Sequence, residues 1–141
     1  MADSGTYTYT LRSKGTKKIL SLSCTASGAA AFSITLPAAI MNWLDGSYLV
    51  KVKAAPGDTA PTDASDLSIT DSAGFVLMSP TGNGLDLIDS TSSLWNYPDG
   101  PIIGGTNDYT LIVKETPLVI AVTNNVVNSA TFDITLELEI K

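Results

Sequence analysis

Carboxylates are the side chains through which this sequence could do chemistry, since it holds fourteen Asp and Glu and no His. Without imidazole there is no ready general base near neutral pH, no serine triad of the usual kind, and none of the ligand sets that hold most zinc and iron. Two kinds of carboxylate chemistry remain. Glycoside hydrolysis needs two acids facing across a cleft, one of them kept protonated by its surroundings. Asp133, Glu137 and Glu139 instead fall on the outward parity of a strand, and most other acids lie in turn-rich segments. Calcium needs about six to eight oxygens, and Asp58, Asp63 and Asp66 crowd one loop. Their spacing is not that of an EF-hand, and Asp in a Pro/Gly-rich turn ordinarily caps backbone amides. The Asp86/Asp89 pair and Asp108 invite the same calcium reading with less support. Gly82-Asn83-Gly84 and Gly104-Gly105 are turns rather than phosphate loops, because neither is followed by a helix or a Lys. No catalytic residue, cofactor or metal ligand is assigned, and the chain is read as not an enzyme.

The totals favour contact over catalysis. Net charge is −6, yet only 16% of the 141 residues are charged, against roughly 25% in average chains. Ser, Thr, Asn and Gly must therefore make the surface, and such a surface desolvates cheaply against other protein. The eight Lys and Arg form no stripe in sequence, and Lys14, Lys17 and Lys18 read as a solvated turn, so nucleic acid is not an expected partner. The single Cys24 excludes an internal disulfide. It shares its parity with Leu20 and Leu22, which makes it a small core residue rather than a reactive thiol. No secretory signal is read in the opening residues, and no run approaches the roughly 20 apolar positions of a membrane span. A soluble product of a cytoplasm is expected, as one domain over 1–141.

The elements that would position these groups are short strands. Phe132, Ile134, Leu136, Leu138 and Ile140 alternate with polar residues, a period of two with one buried face. Before them Leu118 to Val122 is apolar at every position, as expected of a strand covered on both sides or meeting another subunit. Asn124 to Ser129 supplies the turn between the two. Earlier, Tyr7, Tyr9 and Leu11 give an aromatic inner face, followed by Leu20, Leu22 and Cys24, then Phe32, Ile34 and Leu36. Tyr48, Val50 and Val52 are assigned inward in the next strand. Asp66 to Asp71 and Phe75 to Met78 read as a hairpin. One helix is predicted near 38–45, where Pro37 opens a short apolar stretch and Asp45-Gly46 closes it. Residues 79–107 weaken into turn residues with interspersed apolar ones, a long loop or projecting contact arm. The fold class is all-β, an antiparallel β-sandwich of eight or nine strands, jelly-roll or immunoglobulin-like; no Cys…Trp…Cys arrangement supports a true immunoglobulin domain.

The run from Ala55-Pro56-Gly57-Asp58 to Pro61-Thr62-Asp63, then Asp66 to Asp71 with Gly74, then Gly82-Asn83-Gly84, resembles small structural proteins of tailed-bacteriophage virions. The similarity continues through Tyr97-Pro98, Val122 to Asn125 and Asn128 to Thr131, covering about residues 45 to 135 in outline. It implies a non-enzymatic β-sandwich component of the particle: a capsid cement or decoration protein bound to the major capsid protein, with a tail or head-to-tail component as the alternative. It carries no active-site residues.

The residues offer contact surfaces of their own. Leu94, Trp95, Tyr97, Ile102 and Ile103 would anchor the arm against a neighbour, and Leu118 and Ile120 would suit a subunit interface in a homo-oligomer. Trp95 and Tyr97 also admit a carbohydrate- or receptor-binding module, as stacking platforms. Location in a virion, with no membrane partner, is the expectation.

Overall fold

The computed structural model describes residues 3–62, 65–73, 76–78, 94–96, 102–103, 106–107 and 111–140. Asp63, Tyr97, Asp86, Asp89, Asp108 and most of the expected arm lie outside them. Among the described residues, eleven strands and one helix follow in order: β1 (Thr6–Lys14), β2 (Lys17–Thr25), β3 (Phe32–Thr35), α1 (Ala38–Leu44), β4 (Ser47–Pro56), β5 (Asp66–Asp71), β6 (Val76–Met78), β7 (Leu94–Asn96), β8 (Ile102–Ile103), β9 (Thr106–Asn107), β10 (Leu118–Thr123) and β11 (Thr131–Ile140). A five-stranded sheet, β1-β2-β11-β4-β7, and a four-stranded one, β3-β10-β5-β6, are both antiparallel; β8 and β9 form a separate two-stranded ribbon.

Between the two large sheets the chain crosses at almost every connection from β2 onward, and among their described strands only the β5–β6 pair stays within one. That interleaving is the jelly-roll arrangement and decides between the two topologies the sequence leaves open. It also separates the two C-terminal strands, which do not pair: β10 lies between β3 and β5, while β11 sits between β2 and β4 in the other sheet. The polar turn at 124–129 is therefore a crossing between sheets.

The core is where the alternating faces meet. Leu20, Leu22 and Cys24 from β2, Phe32 and Ile34 from β3, Leu67 and Ile69 from β5, Leu118, Ile120 and Val122 from β10, and Phe132, Ile134, Leu136 and Leu138 from β11 are all buried. Phe32 and Phe132 meet edge-on across the two sheets, centroids 5.0 Å apart and planes at 79°. The helix closes one end with Ile40, Met41 and Leu44. Trp43, on the same helix, is only partly buried; Lys18 Nζ lies 5.0 Å from its ring centroid and donates to its backbone carbonyl. Pro37 stands at the cap rather than inside the first turn, in extended backbone with ψ 166°.

Three side-chain assignments change. In β4 the register against β11 shifts between Glu137 and Leu138, where Val50 is the extra residue. This bulge flips parity, so Ser47 and Leu49 point inward with Val52 and Ala54, while Tyr48 and Val50 are half-buried. In β1, Tyr9 is 42% exposed although it shares the inner parity: β1 is the sheet edge, and it overhangs the core. Leu118 and Ile120 are 1% and 0% exposed, buried in the core and not at an outer interface. The outward residues of β10 are Val119 and Ala121, half-buried.

Gly5 carries the entry into β1. Its φ is +84°, and a Cβ there would stand 2.6 Å from the Thr25 carbonyl oxygen and 2.8 Å from Phe32 Cδ2. Only glycine allows the chain to pass so close to β2 and β3.

Cys24 is 2% exposed. Burial, with the Asp133 carboxylate adding to it, pushes its thiol up to about 12. The thiol is expected to ignore maleimide in the native protein and to react at once in denaturant; prompt native labelling would contradict this burial.

Candidate functional site

Among the described residues, several elements together build the outer face of the five-stranded sheet. Register aligns its side chains in rows across the strands: Thr8, Ser23, Asp133 and Ala55 in one, Thr10, Ser21, Thr135 and Lys53 in the next, Arg12, Ile19, Glu137 and Lys51 in a third. The first two rows are dominated by hydroxyls on alternate positions, because β-branched Thr and small Ser fit a pleated surface packed on one side only. Thr8, Thr10, Ser21, Ser23, Asp133 and Thr135 line a shallow depression of about 310 Å³. Ser23 Oγ donates to Asp133 Oδ1 at 3.1 Å.

The third row holds an ion-pair cluster. Glu137, its side chain 12% exposed, accepts from Lys17 Nζ at 2.6 Å and Lys51 Nζ at 3.2 Å. The hydrogen bond from Lys17, reinforced by Lys51, outweighs burial and holds the Glu137 carboxyl below its ordinary range; the same hydrogen bond raises the Lys17 ammonium. An acid held ionised between two ammonium groups cannot serve as a proton donor near neutrality. A group with a depressed folded pKa contributes stability above its unfolded value, and that contribution is lost as pH falls through the folded value. Wild type should therefore melt above Glu137→Gln at pH 7, and the gap should close below about pH 4; a gap that persists unchanged at pH 3 would remove the ion pairs as its cause.

Sequence order disguises the charge distribution. Arg12, Lys14, Lys17, Lys18, Lys51 and Lys53 all sit on β1, β2 and β4, with Asp133, Glu137 and Glu139 as the acids of this sheet's strands. Six cations against three acids leave these strands at +3, so the rest of the chain carries −9 of the total −6. Residues dispersed along the chain are gathered in space, because the sheet brings β4 within one strand of β2.

The other sequence-derived candidates are distributed as follows. Leu94 and Trp95 belong to strand β7, in register with Ala54 and Lys53, so this part of the expected arm is a sheet edge. Ile102 and Ile103 form β8, paired with Asn107 and Thr106; Tyr97 lies outside the described residues. Asp58 is exposed, and Asp66 accepts from the Asn124 side-chain amide, next to the Thr123–Asp66 pair of β10 and β5. Among the described residues no cluster of three or more potential metal-binding side chains occurs, and no helix is long and apolar enough to cross a membrane.

The sequence reading missed the role of Asn125. Its Oδ1 accepts from the Thr62 amide at 3.0 Å, the Thr62 hydroxyl at 3.3 Å and the Val127 amide at 3.0 Å; its Nδ2 donates to the carbonyls of Ala30 at 3.2 Å and Val127 at 3.1 Å. Thr62 Oγ1 in turn accepts from the Val126 amide at 2.8 Å. Three loops are locked at one end of the sandwich by this side chain. Asn124-Asn125 signals a turn, but nothing in sequence shows which other loops it reaches.

No protein family and no curated protein matches the sequence. Among solved structures, the chain is similar in fold to one from the cyanophage Pam1 capsid asymmetric unit, with 15% identity, a TM-score of 0.41, and coverage of 100% of this chain and 89% of that one. It is also similar to the C-terminal family 22 carbohydrate-binding module of Clostridium thermocellum Xyn10B, with 14% identity, a TM-score of 0.38, and coverage of 96% and 82%. A xylan-binding domain of the same module family gives the same values.

Proposed function

We infer that this chain is a non-enzymatic structural protein of a tailed-phage virion, a cement or decoration protein that binds the major capsid protein through the outer face of its five-stranded sheet. The observation that carries the reading is that face: hydroxyl-lined and shallow, its buried acid neutralised by Lys17 and Lys51. Short Ser and Thr side chains lose little rotamer freedom when a partner covers them. Their hydroxyls can donate or accept, which suits a protein surface rich in backbone and amide groups. The +3 sheet against a −9 remainder would orient the domain as it approaches an acidic shell, with an association rate that falls as salt rises. The phage-virion assignment itself comes from the sequence resemblance in the 45–135 region.

The test is addition of the purified full chain to capsids assembled without it, followed by sedimentation of the particles. Saturable co-sedimentation is expected, together with resistance of the particles to heat or chelator. Ser21→Arg, on the exposed face and away from the core, should abolish addition while leaving the melting temperature close to wild type. No addition of wild type, or undiminished addition of Ser21→Arg, would overturn the assignment of this face.

A further inference from the structure

We propose that β1 is a pairing edge through which two copies of this chain join their five-stranded sheets into one continuous sheet, across a two-fold axis at Thr10. The inference needs only this strand and stands apart from the virion reading. Among the described residues, the strands that end the two large sheets are β3 with four residues, β6 and β7 with three each, and β1 with nine. Short edges are a usual protection against unwanted pairing, as are bulges, prolines and central charges. β1 has none of these: its register with β2 is continuous from Thr6 to Lys14, and Thr6 to Leu11 is uncharged.

The geometry selects a register. Gly15 and Thr16 form a two-residue turn, with Gly15 at φ +61°, so the flanking Lys14 and Lys17 are the hydrogen-bonded pair of the hairpin. Alternation then directs the backbone groups of Ser13, Leu11, Tyr9 and Tyr7 away from β2, toward a second strand. Antiparallel pairing centred on Thr10 engages the whole of β1. It sets Tyr9, 42% exposed, opposite Leu11 of the second copy, and Tyr7 opposite Ser13. Arg12 then faces Thr8 and Lys14 faces Thr6, so like charges stay apart, whereas a parallel arrangement would set them side by side. A register shifted two residues toward the N-terminus would need Ser4, whose N–H and C=O are already exchanged with Ser33 at 2.8 and 3.0 Å. Such a contact is self-complementary and closes as a dimer.

The experiment uses the full chain. Sedimentation velocity at tens of micromolar should give a dimer. Under mild oxidation Thr10→Cys should form an intermolecular disulfide, because facing residues of paired strands lie within disulfide reach, and Asp58→Cys, in an exposed loop, should not. Native Cys24 is buried and does not compete. Tyr9→Lys puts a charge at an exposed edge position and should raise the dimer dissociation constant by about tenfold or more with an unchanged circular dichroism spectrum. A monomeric wild type overturns the proposal. So does a dimer that survives Tyr9→Lys and is not trapped by Thr10→Cys, which would place the contact on another surface.

Discussion

Phe132→Ala is expected to lower unfolding free energy by about 3–5 kcal/mol. Phe132 is 1% exposed and belongs to β11, the central strand of the larger sheet. Its ring meets Phe32 of the opposite sheet edge-on, so truncation removes the aromatic contact between the layers as well as the buried area. Phe132 and its neighbours on β2 sit in strands hydrogen-bonded on both sides, and the cavity can collapse only partly. Against a typical total of about 5–15 kcal/mol, this is a large fraction of the stability. Urea titration followed by circular dichroism measures it, and Phe132→Leu, which retains most of the volume, should lose clearly less. A loss for Phe132→Ala below about 1 kcal/mol would mean that the layers do not meet there.

Asn125→Ala should cost about 2–4 kcal/mol, large for a residue outside the regular strands. The substitution removes both partners that its side chain provides to Val127, the acceptor for Thr62 and the donor to Ala30. These backbone groups are in part-buried positions where water cannot fully replace the amide. Asn125→Asp keeps the acceptor but sets a carboxylate against the Ala30 and Val127 carbonyls, so it should give no rescue. Hydrogen exchange provides the second readout: the Thr62 and Val127 amides should lose protection in Asn125→Ala while those of β11 keep theirs. Uniform loss across the whole chain would indicate global unfolding instead of a released clamp.

What sequence makes legible here is local periodicity. Phe132 to Leu138 alternate as expected and the inward residues are all buried, because β11 is regular along that stretch. Ile140 continues the pattern but is 42% exposed, since periodicity gives parity and not where the opposing layer stops. The same limit accounts for Tyr9, inward by parity yet 42% exposed on the edge strand β1. Val50 shows a second limit. One extra residue reverses the face of everything before it, and no composition signal marks the place. The apolar run of β10 suggests two covered faces, yet its outward residues are Val119 and Ala121, half-buried between the strands on either side.

The candidate face was less legible still. Its Thr and Ser alternations are visible in β1, β2 and β11 separately, but rows such as Thr10, Ser21 and Thr135 exist only once distant strands are in register. The gathering of cations has the same origin, as does the Asn125 clamp, whose partners lie 95 and 63 positions away.

The position of β2, between β1 and β11, bears on how the polypeptide matures. One flank is satisfied almost immediately by the hairpin with β1; the other waits for β11, with Ser23 and Asp133 separated by 110 positions. During synthesis that flank therefore stays open until residues 131–140 have left the ribosome. Sheet closure is consequently a late event, with the slow kinetics of non-local β pairing. A nascent chain arrested before Thr131 should be readily digested by protease, whereas one extended past Ile140 should become resistant.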